Sequence, residues 1–172
     1  VKERKIPVSN VRGYSTTSVV QQVFASLLEV LNKPSWYFDQ VNKQRWVNCP
    51  DFCFIDHSIC ELSTLTLGII GFGQIGSKLA EVGLSMGMKV LAYNKSKKQA
   101  QGVVFTHSLD DLLLQADVVS LHLPLSDESR AMINQNTLAK MKGNAILINT
   151  GRGPLIDENE LSQHLKANPA FT

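Results

Sequence analysis

Three glycines in one short stretch, Gly71-Phe72-Gly73-Gln74-Ile75-Gly76, do most to limit what this chain can fold into. They follow an apolar run at residues 67–70. After them, residues 77–86 keep Leu79, Val82 and Met86 on one side of a helix, with Gly87 as its stop. A strand, a tight turn and a helix are therefore expected in immediate succession. Each glycine then serves a different purpose. Gly71 permits the sharp turn, Gly73 lets the backbone approach a ligand, and Gly76 lets the helix pack on the strand. The free amides and the positive end of the helix dipole make a seat for phosphate. Glycines that merely turn the chain are the alternative. The strand before the motif, the helix after it and a further strand at residues 89–93 favour the phosphate seat.

The same rhythm continues downstream. Strands are expected at residues 67–71, 89–93, 103–106, 117–123 and 145–150. Val90-Leu91, Val118-Val119 and Ile146-Leu147-Ile148 are unbroken apolar runs, as parallel strands buried on both faces require. Ser108 with Asp111, and Asp157 with Glu160, read as capping boxes that open helices. Alternating strands and helices argue for an α/β fold, a doubly wound parallel sheet with right-handed crossovers. Upstream, residues 6–9 read as a short strand, followed by a turn around Arg12-Gly13. Thr16, Thr17 or Ser18 would then cap a helix striped by Val20, Val23, Phe24, Leu27, Leu28 and Leu31, ending at Asn32-Lys33-Pro34. Residues 34–62 have no clean period and hold both tryptophans and all three cysteines, which suggests a long contact or binding loop.

Composition narrows the classes of partner. The 172 residues suit one domain with the edge of a second. Lys and Arg number 17 against 15 Asp and Glu, a net charge of +2 without a basic stripe, so no nucleic-acid partner is expected. The uncharged runs at residues 13–28 and 62–77 are too short and polar to span a bilayer, so no membrane partner is expected either. Residues 1–10 are too charged for a secretory signal. An odd count of 3 cysteines points to free thiols in the cytoplasm. Cys49, Cys53, His57 and Cys60 are soft ligands, but their spacing lacks the tight knuckle of a zinc site, so no metal is expected. The chain opens on Val1 and reads as a fragment.

Ligands of open parallel sheets lie beyond the carboxyl ends of the strands. At the end of the second strand stands Asn94, where an acidic residue would usually hold the adenosine ribose. Lys95, Lys97 and Lys98 follow, either to hold a 2′-phosphate or to form a solvated turn. The backbone at Leu123 and Pro124 is placed to line a nicotinamide. The neighbouring His122 reads as a packing residue and not as an acid–base group. Arg152 lies between Gly151 and Gly153 at the end of the last strand, where its guanidinium can reach a carboxylate in the cleft. A surface arginine in a mobile turn is the alternative.

Together, residues 71–76, 117–130 and 148–161 resemble the coenzyme domain of the D-isomer-specific 2-hydroxyacid dehydrogenases, in the family's order. The likeness extends from about residue 6 to about residue 165, and residues 51–62 resemble the glycerate/hydroxypyruvate branch. It implies a Rossmann-type sheet, the coenzyme domain of a two-domain enzyme truncated at both ends. Residues 1–12 would be a remnant strand of the substrate domain and 13–172 the NAD(P)-binding domain. Besides Gly71, Gly73 and Gly76, the residues implied to contact the dinucleotide are Gln74, Ile75, Asn94, Leu123, Pro124, Ser129, Thr150 and Gly151. Lys95 joins them as the nearest lysine, and Arg152 is implied as the catalytic arginine. NAD is the family's usual cofactor, whereas Asn94 and Lys95 suggest NADP. The resemblance also implies a small 2-hydroxy or 2-keto acid substrate, and a homodimer formed through residues 16–32 and 34–62. The family's acid–base His and its Glu fall beyond residue 172, so the fragment alone is expected to be inactive. Rival readings are a dinucleotide-sensing, corepressor-like regulator and a methyltransferase or S-adenosylhomocysteine-hydrolase-like enzyme. Arg152 speaks against the methyltransferase and the hydrolase.

Overall fold

The computed structural model describes residues 4, 6–11, 13–96 and 98–172. The apolar runs form β1 (Thr66–Ile70), β2 (Lys89–Tyr93), β3 (Val103–Phe105), β4 (Val118–Leu121) and β5 (Ile146–Asn149). Every pairing is parallel and the spatial order is β3-β2-β1-β4-β5. All four residues of β4 are buried, as a central strand covered on both faces must be. From β1 the chain winds outward through β2 and β3, then returns to the other side for β4 and β5. The reversal lies between β1 and β4, which opens a crevice at their carboxyl ends in this Rossmann-type sheet. Beyond β5, the Thr172 amide donates to the Ala145 carbonyl at 3.1 Å and its own carbonyl accepts from Leu147 at 2.7 Å.

Helices cover both faces: α1 (Thr16–Asn32), α2 (Pro34–Asn42), α3 (Gln74–Ser85), α4 (Leu109–Gln115), α5 (Gln135–Leu138) and α6 (Glu158–Ala167). The α1 stripe of Val23, Phe24 and Leu27 packs with Leu79 of α3 against Leu67 and Ile69 of β1. On the opposite face Leu112 and Leu113 of α4 join Ile70, Val119, Leu121 and Leu138. Each strand end thus carries its loop to the same edge of a sheet fixed from both sides.

Several details differ from the sequence reading. No strand forms over residues 6–9: Ile6 and Val8 are exposed and pair with nothing described. Arg12, half of the expected turn, lies outside the described residues, while Gly13 takes φ 69° and its carbonyl accepts from Thr16. The cap position of α1 is Ser15, not Thr16, Thr17 or Ser18, and its side chain makes no capping bond. Residues 34–62 are not all loop, because Pro34, with its φ preset, opens α2. There Tyr37 Oη accepts the amides of Asp56 and His57 at 3.2 and 3.4 Å, and Arg45 is paired with Asp56. Helix α3 begins at Gln74 and not at residue 77, since the glycine turn itself supplies the first helical residues. Asp157 caps α6 through the amides of Asn159 and Glu160, but Glu160 reaches across to the Gln135 amide at 2.6 Å and leaves the box half made. The box at Ser108 and Asp111 is complete. The strands end one or two residues earlier than expected in β1, β3, β4 and β5, where the backbone leaves the ladder to form loops. All three cysteines are free. Among the described residues no group of three or more His, Cys, Asp or Glu could hold a metal ion, and no helix is long and apolar enough to cross a membrane.

One part-buried polar pair ties this fold to pH. Ser120 and His122 are two residues apart in extended chain and share a face, with Ser120 Oγ 2.9 Å from His122 Nε2. Desolvation by burial pushes the His122 pKa down from 6.5 to about 4. The unfolded chain therefore takes up this proton first as pH falls, and neutral His122 stabilises the fold fully only above about pH 6.5. We expect about 3 kcal/mol to be lost between pH 6.5 and pH 4, from the difference between the two pKa values. Urea melts across that window check this. His122→Gln should flatten the loss, and an equally steep loss in the variant would assign it to other groups.

Candidate functional site

The three glycines have distinct surroundings. Gly71 takes φ 97°, and a Cβ there would lie 2.6 Å from the His122 carbonyl oxygen. A Cβ on Gly76 would lie 2.2 Å from the Gly71 oxygen, so both positions are fixed by the fold itself. A Cβ on Gly73 would meet nothing within 4 Å. The bare backbone at Gly73 therefore opens a cradle over the start of α3. That helix has no side-chain cap and no acidic residue in its first turn, leaving the amides of Gln74, Ile75 and Gly76 for an anion. A cavity of about 400 Å³ adjoins the cradle, lined by Gly73, Gln74, Ile75 and His122 on one side and by Tyr14 and Thr16 among others on the other. Open space, free amides and a favourable dipole are what a pyrophosphate requires.

One strand over, Asn94 braces this turn. Its Oδ1 accepts the Phe72 amide at 2.9 Å, while Nδ2 donates to the Ser96 carbonyl and hydroxyl at 2.9 and 2.8 Å. Phe72 itself is buried and meets Phe105 edge-on at 4.9 Å. A second groove of about 670 Å³ runs past the ends of β2 and β3, lined by residues including Asn94, Lys95, Ser96, Lys98, Thr106 and His107. Lys95 is ion-paired with Glu128 from the loop after β4. Lys97 lies outside the described residues.

Beyond β4, Leu123 is half-buried and Pro124 exposed. Ser129 is buried. Its hydroxyl donates to the Pro124 carbonyl and accepts the Ser126 amide, both at 2.8 Å, so it shapes the loop from within. His122 is bonded to Ser120, and burial pushes its pKa down to about 4. Beyond β5, the Gly151 amide donates to Asn149 Oδ1, and Asn149 Nδ2 donates to the Arg152 carbonyl, both at 3.0 Å. The Thr150 hydroxyl is enclosed and has no hydrogen-bond partner among the described residues. Arg152 is exposed, with Nη1 donating to the Gly151 carbonyl at 3.1 Å. No carboxylate among the described residues pairs with it.

The sequence-predicted residues thus gather along one sheet edge. From β1 come Gly71, Gly73, Gln74, Ile75 and Gly76; from β2 come Asn94 and Lys95. The end of β4 brings Leu123, Pro124 and Ser129, and that of β5 brings Thr150, Gly151 and Arg152. The sequence reading passed over Phe72, Thr106, His107 and Glu128. Thr106 and His107 stand just past the end of β3, so the strand-end rule could have found them. Glu128 meets Lys95 across 33 residues, and no local pattern announces that.

Comparison with known proteins agrees with the fold. The sequence pattern of the D-isomer specific 2-hydroxyacid dehydrogenase, NAD binding domain, matches residues 24–171. A hydroxypyruvate reductase of Blautia hydrogenotrophica is 40% identical over 169 residues, covering 96% of this chain and 52% of the relative. The crystal structure of a D-lactate dehydrogenase from Aquifex aeolicus, complexed with NAD and lactic acid, superposes with a TM-score of 0.83 at 38% identity, over 97% of this chain and 49% of that one. An NADPH-dependent glyoxylate/hydroxypyruvate reductase from Sinorhizobium meliloti, in complex with NADP and sulfate, gives 0.78 at 27% identity, over 94% and 51%. The chain spans about half the length of the curated relatives it matches. It belongs to the D-isomer-specific 2-hydroxyacid dehydrogenase family, as an NAD-binding domain.

Proposed function

We propose that the protein is an NAD(P)-dependent dehydrogenase of small D-2-hydroxy and 2-keto acids, of the glycerate/hydroxypyruvate kind, and that this chain seats its cofactor. One observation carries the reading: the guanidinium of Arg152, with no carboxylate partner among the described residues, stands on the same sheet edge as the open cradle at Gly73. In the roles proposed, the first-turn amides of α3 hold the pyrophosphate. Asn94 and Lys95 meet the adenosine ribose, and the backbone at Leu123, Pro124, Thr150 and Gly151 lines the nicotinamide side. Ser129 acts by holding the Pro124 carbonyl in place. When bound, the nicotinamide supplies or accepts the hydride. Arg152 grips the substrate carboxylate with paired charge-assisted bonds and stabilises negative charge on the reacting oxygen. The proton is assigned to a His in the part of its relatives that this chain does not span, not to His122.

Cofactor choice turns on Asn94. An amide in place of a carboxylate removes a charge that would repel a 2′-phosphate, and the lysines beside it favour one, which supports acceptance of NADP alongside NAD. A homodimer is part of the proposal. The 34–62 connection leaves Phe52 95% and Val47 76% exposed, apolar surface suited to a second copy. A cytoplasmic setting rests on the three free thiols.

Three outcomes are expected. Gly73→Ala should fold as the wild type does, because its methyl group enters open space, yet lose about tenfold or more in dinucleotide affinity by calorimetry. Unchanged affinity would remove the pyrophosphate from the α3 turn. Asn94→Asp should weaken NADP selectively, by about tenfold, and leave NAD nearly unchanged. Equal losses would separate Asn94 from the phosphate. In steady-state assays of the intact enzyme, Arg152→Ala should lower kcat/KM for a 2-keto acid by about 100- to 1,000-fold with cofactor affinity retained. Full activity would discard its role.

A further inference from the structure

We propose that Glu128 is a specificity-determining residue, competing with the 2′-phosphate of NADP for the ammonium of Lys95. The proposal rests on the dinucleotide reading above and deepens it. Lys95 follows the end of β2, and Glu128 lies in the loop after β4. Between those strands lies β1, whose glycine turn forms the floor of the nucleotide crevice. The Lys95–Glu128 ion pair therefore joins the loops that follow β2 and β4, on either side of β1. Lysine holds the Glu128 carboxyl below its ordinary range. The side chains are 68% and 74% exposed, so the pair adds little to folding and is free to exchange partners.

NAD leaves this pair intact, since it brings no charge to the ribose 2′ position. NADP does not. Its phosphate recruits Lys95 from the groove, where Lys98 also stands without a carboxylate partner among the described residues. Glu128 then loses its counter-ion and remains a negative charge near a dianion. The lysines admit the phosphate, and Glu128 limits how strongly they favour it. Among the described residues no acidic side chain lines the groove that holds Asn94, Lys95 and Lys98, and Glu128 reaches it through its pair with Lys95.

The test is calorimetric titration of the protein with NAD and NADP, in wild type, Glu128→Gln, Lys95→Ala and the double variant, at low and high salt. Thermal melts should coincide, as the pair is exposed. Glu128→Gln is expected to tighten NADP by about three- to tenfold at low salt and to change NAD by less than about twofold. The gain should shrink at high salt and vanish in the Lys95→Ala background. An equal change for both nucleotides, no change, or a gain that survives Lys95→Ala would overturn the proposal while leaving the dinucleotide site standing. A wild type that binds neither nucleotide would bring down the site itself, and this proposal with it.

Discussion

A methyl group on Gly76 would sit 2.2 Å from one backbone oxygen, that of Gly71, and a methyl group on Gly71 would sit 2.6 Å from another, that of His122. These two approaches of bare backbone stack the first turn of α3 on the end of β1, and the end of β1 on the end of β4. Neither side of such a contact can yield as a flexible side chain would. Gly68 repeats the device on the opposite face, where a Cβ would come within 2.7 Å of Leu112 Cδ2, so α4 also lies close on β1. The rest inherits its position from this central strand. The uncapped amides face the crevice between β1 and β4, and Phe72 comes within reach of Asn94 because the turn is held down on the sheet.

What the sequence revealed was the part written in backbone rules. Val118-Val119 and Ile146-Leu147-Ile148 betrayed parallel strands because burial on both faces leaves no room for alternation. The α1 stripe was legible because one face of it meets the sheet. Helix α2 was not, since none of its residues is buried and no periodic face exists to read. Its place is held instead by contacts from far along the chain, such as the Tyr37 hydroxyl under the Asp56 amide. Within the site, glycine spacing pointed directly to the turn that is open at Gly73 and tightly packed at Gly71 and Gly76. Bracing of the turn by Asn94, the inward hydroxyl of Ser129 and the partner of Lys95 are tertiary facts, invisible to any local window.

In the function we propose, two kinds of recognition meet along this edge, and they differ in how tightly the fold controls them. Main-chain amides of α3 address what all dinucleotides share, and changing them means deforming backbone at a cost of about 1–3 kcal/mol or more. Charged side chains after β2 and β4 address what distinguishes one dinucleotide from another. They are exposed, and pairs of this kind contribute only about 0–1 kcal/mol each. Cofactor preference can therefore shift by substitution at Asn94, Lys95 or Glu128 while the sheet and its glycine turn stay as they are. The same arithmetic makes any preference built from a single pair modest, and a strong one requires several charges acting together.

Asn94 is where the two kinds are joined. Its acceptor oxygen holds the Phe72 amide, and so the turn; its donor nitrogen holds Ser96, and so the loop that carries Lys95 and Lys98. A carboxylate at this position would keep the first bond and lose the donor side. It would set a negative charge against the Ser96 carbonyl oxygen, while the Ser96 hydroxyl could turn to donate to it. The lysine-bearing loop would then lose one of its two bonds to this side chain, at the same moment that a ribose in the proposed site gained a charged neighbour. Exchange of amide for acid thus acts on the phosphate twice, through the charge itself and through the loop whose lysines would meet it. The amide nitrogen, through both bonds to Ser96, holds the loop whose Lys95 and Lys98 line the groove.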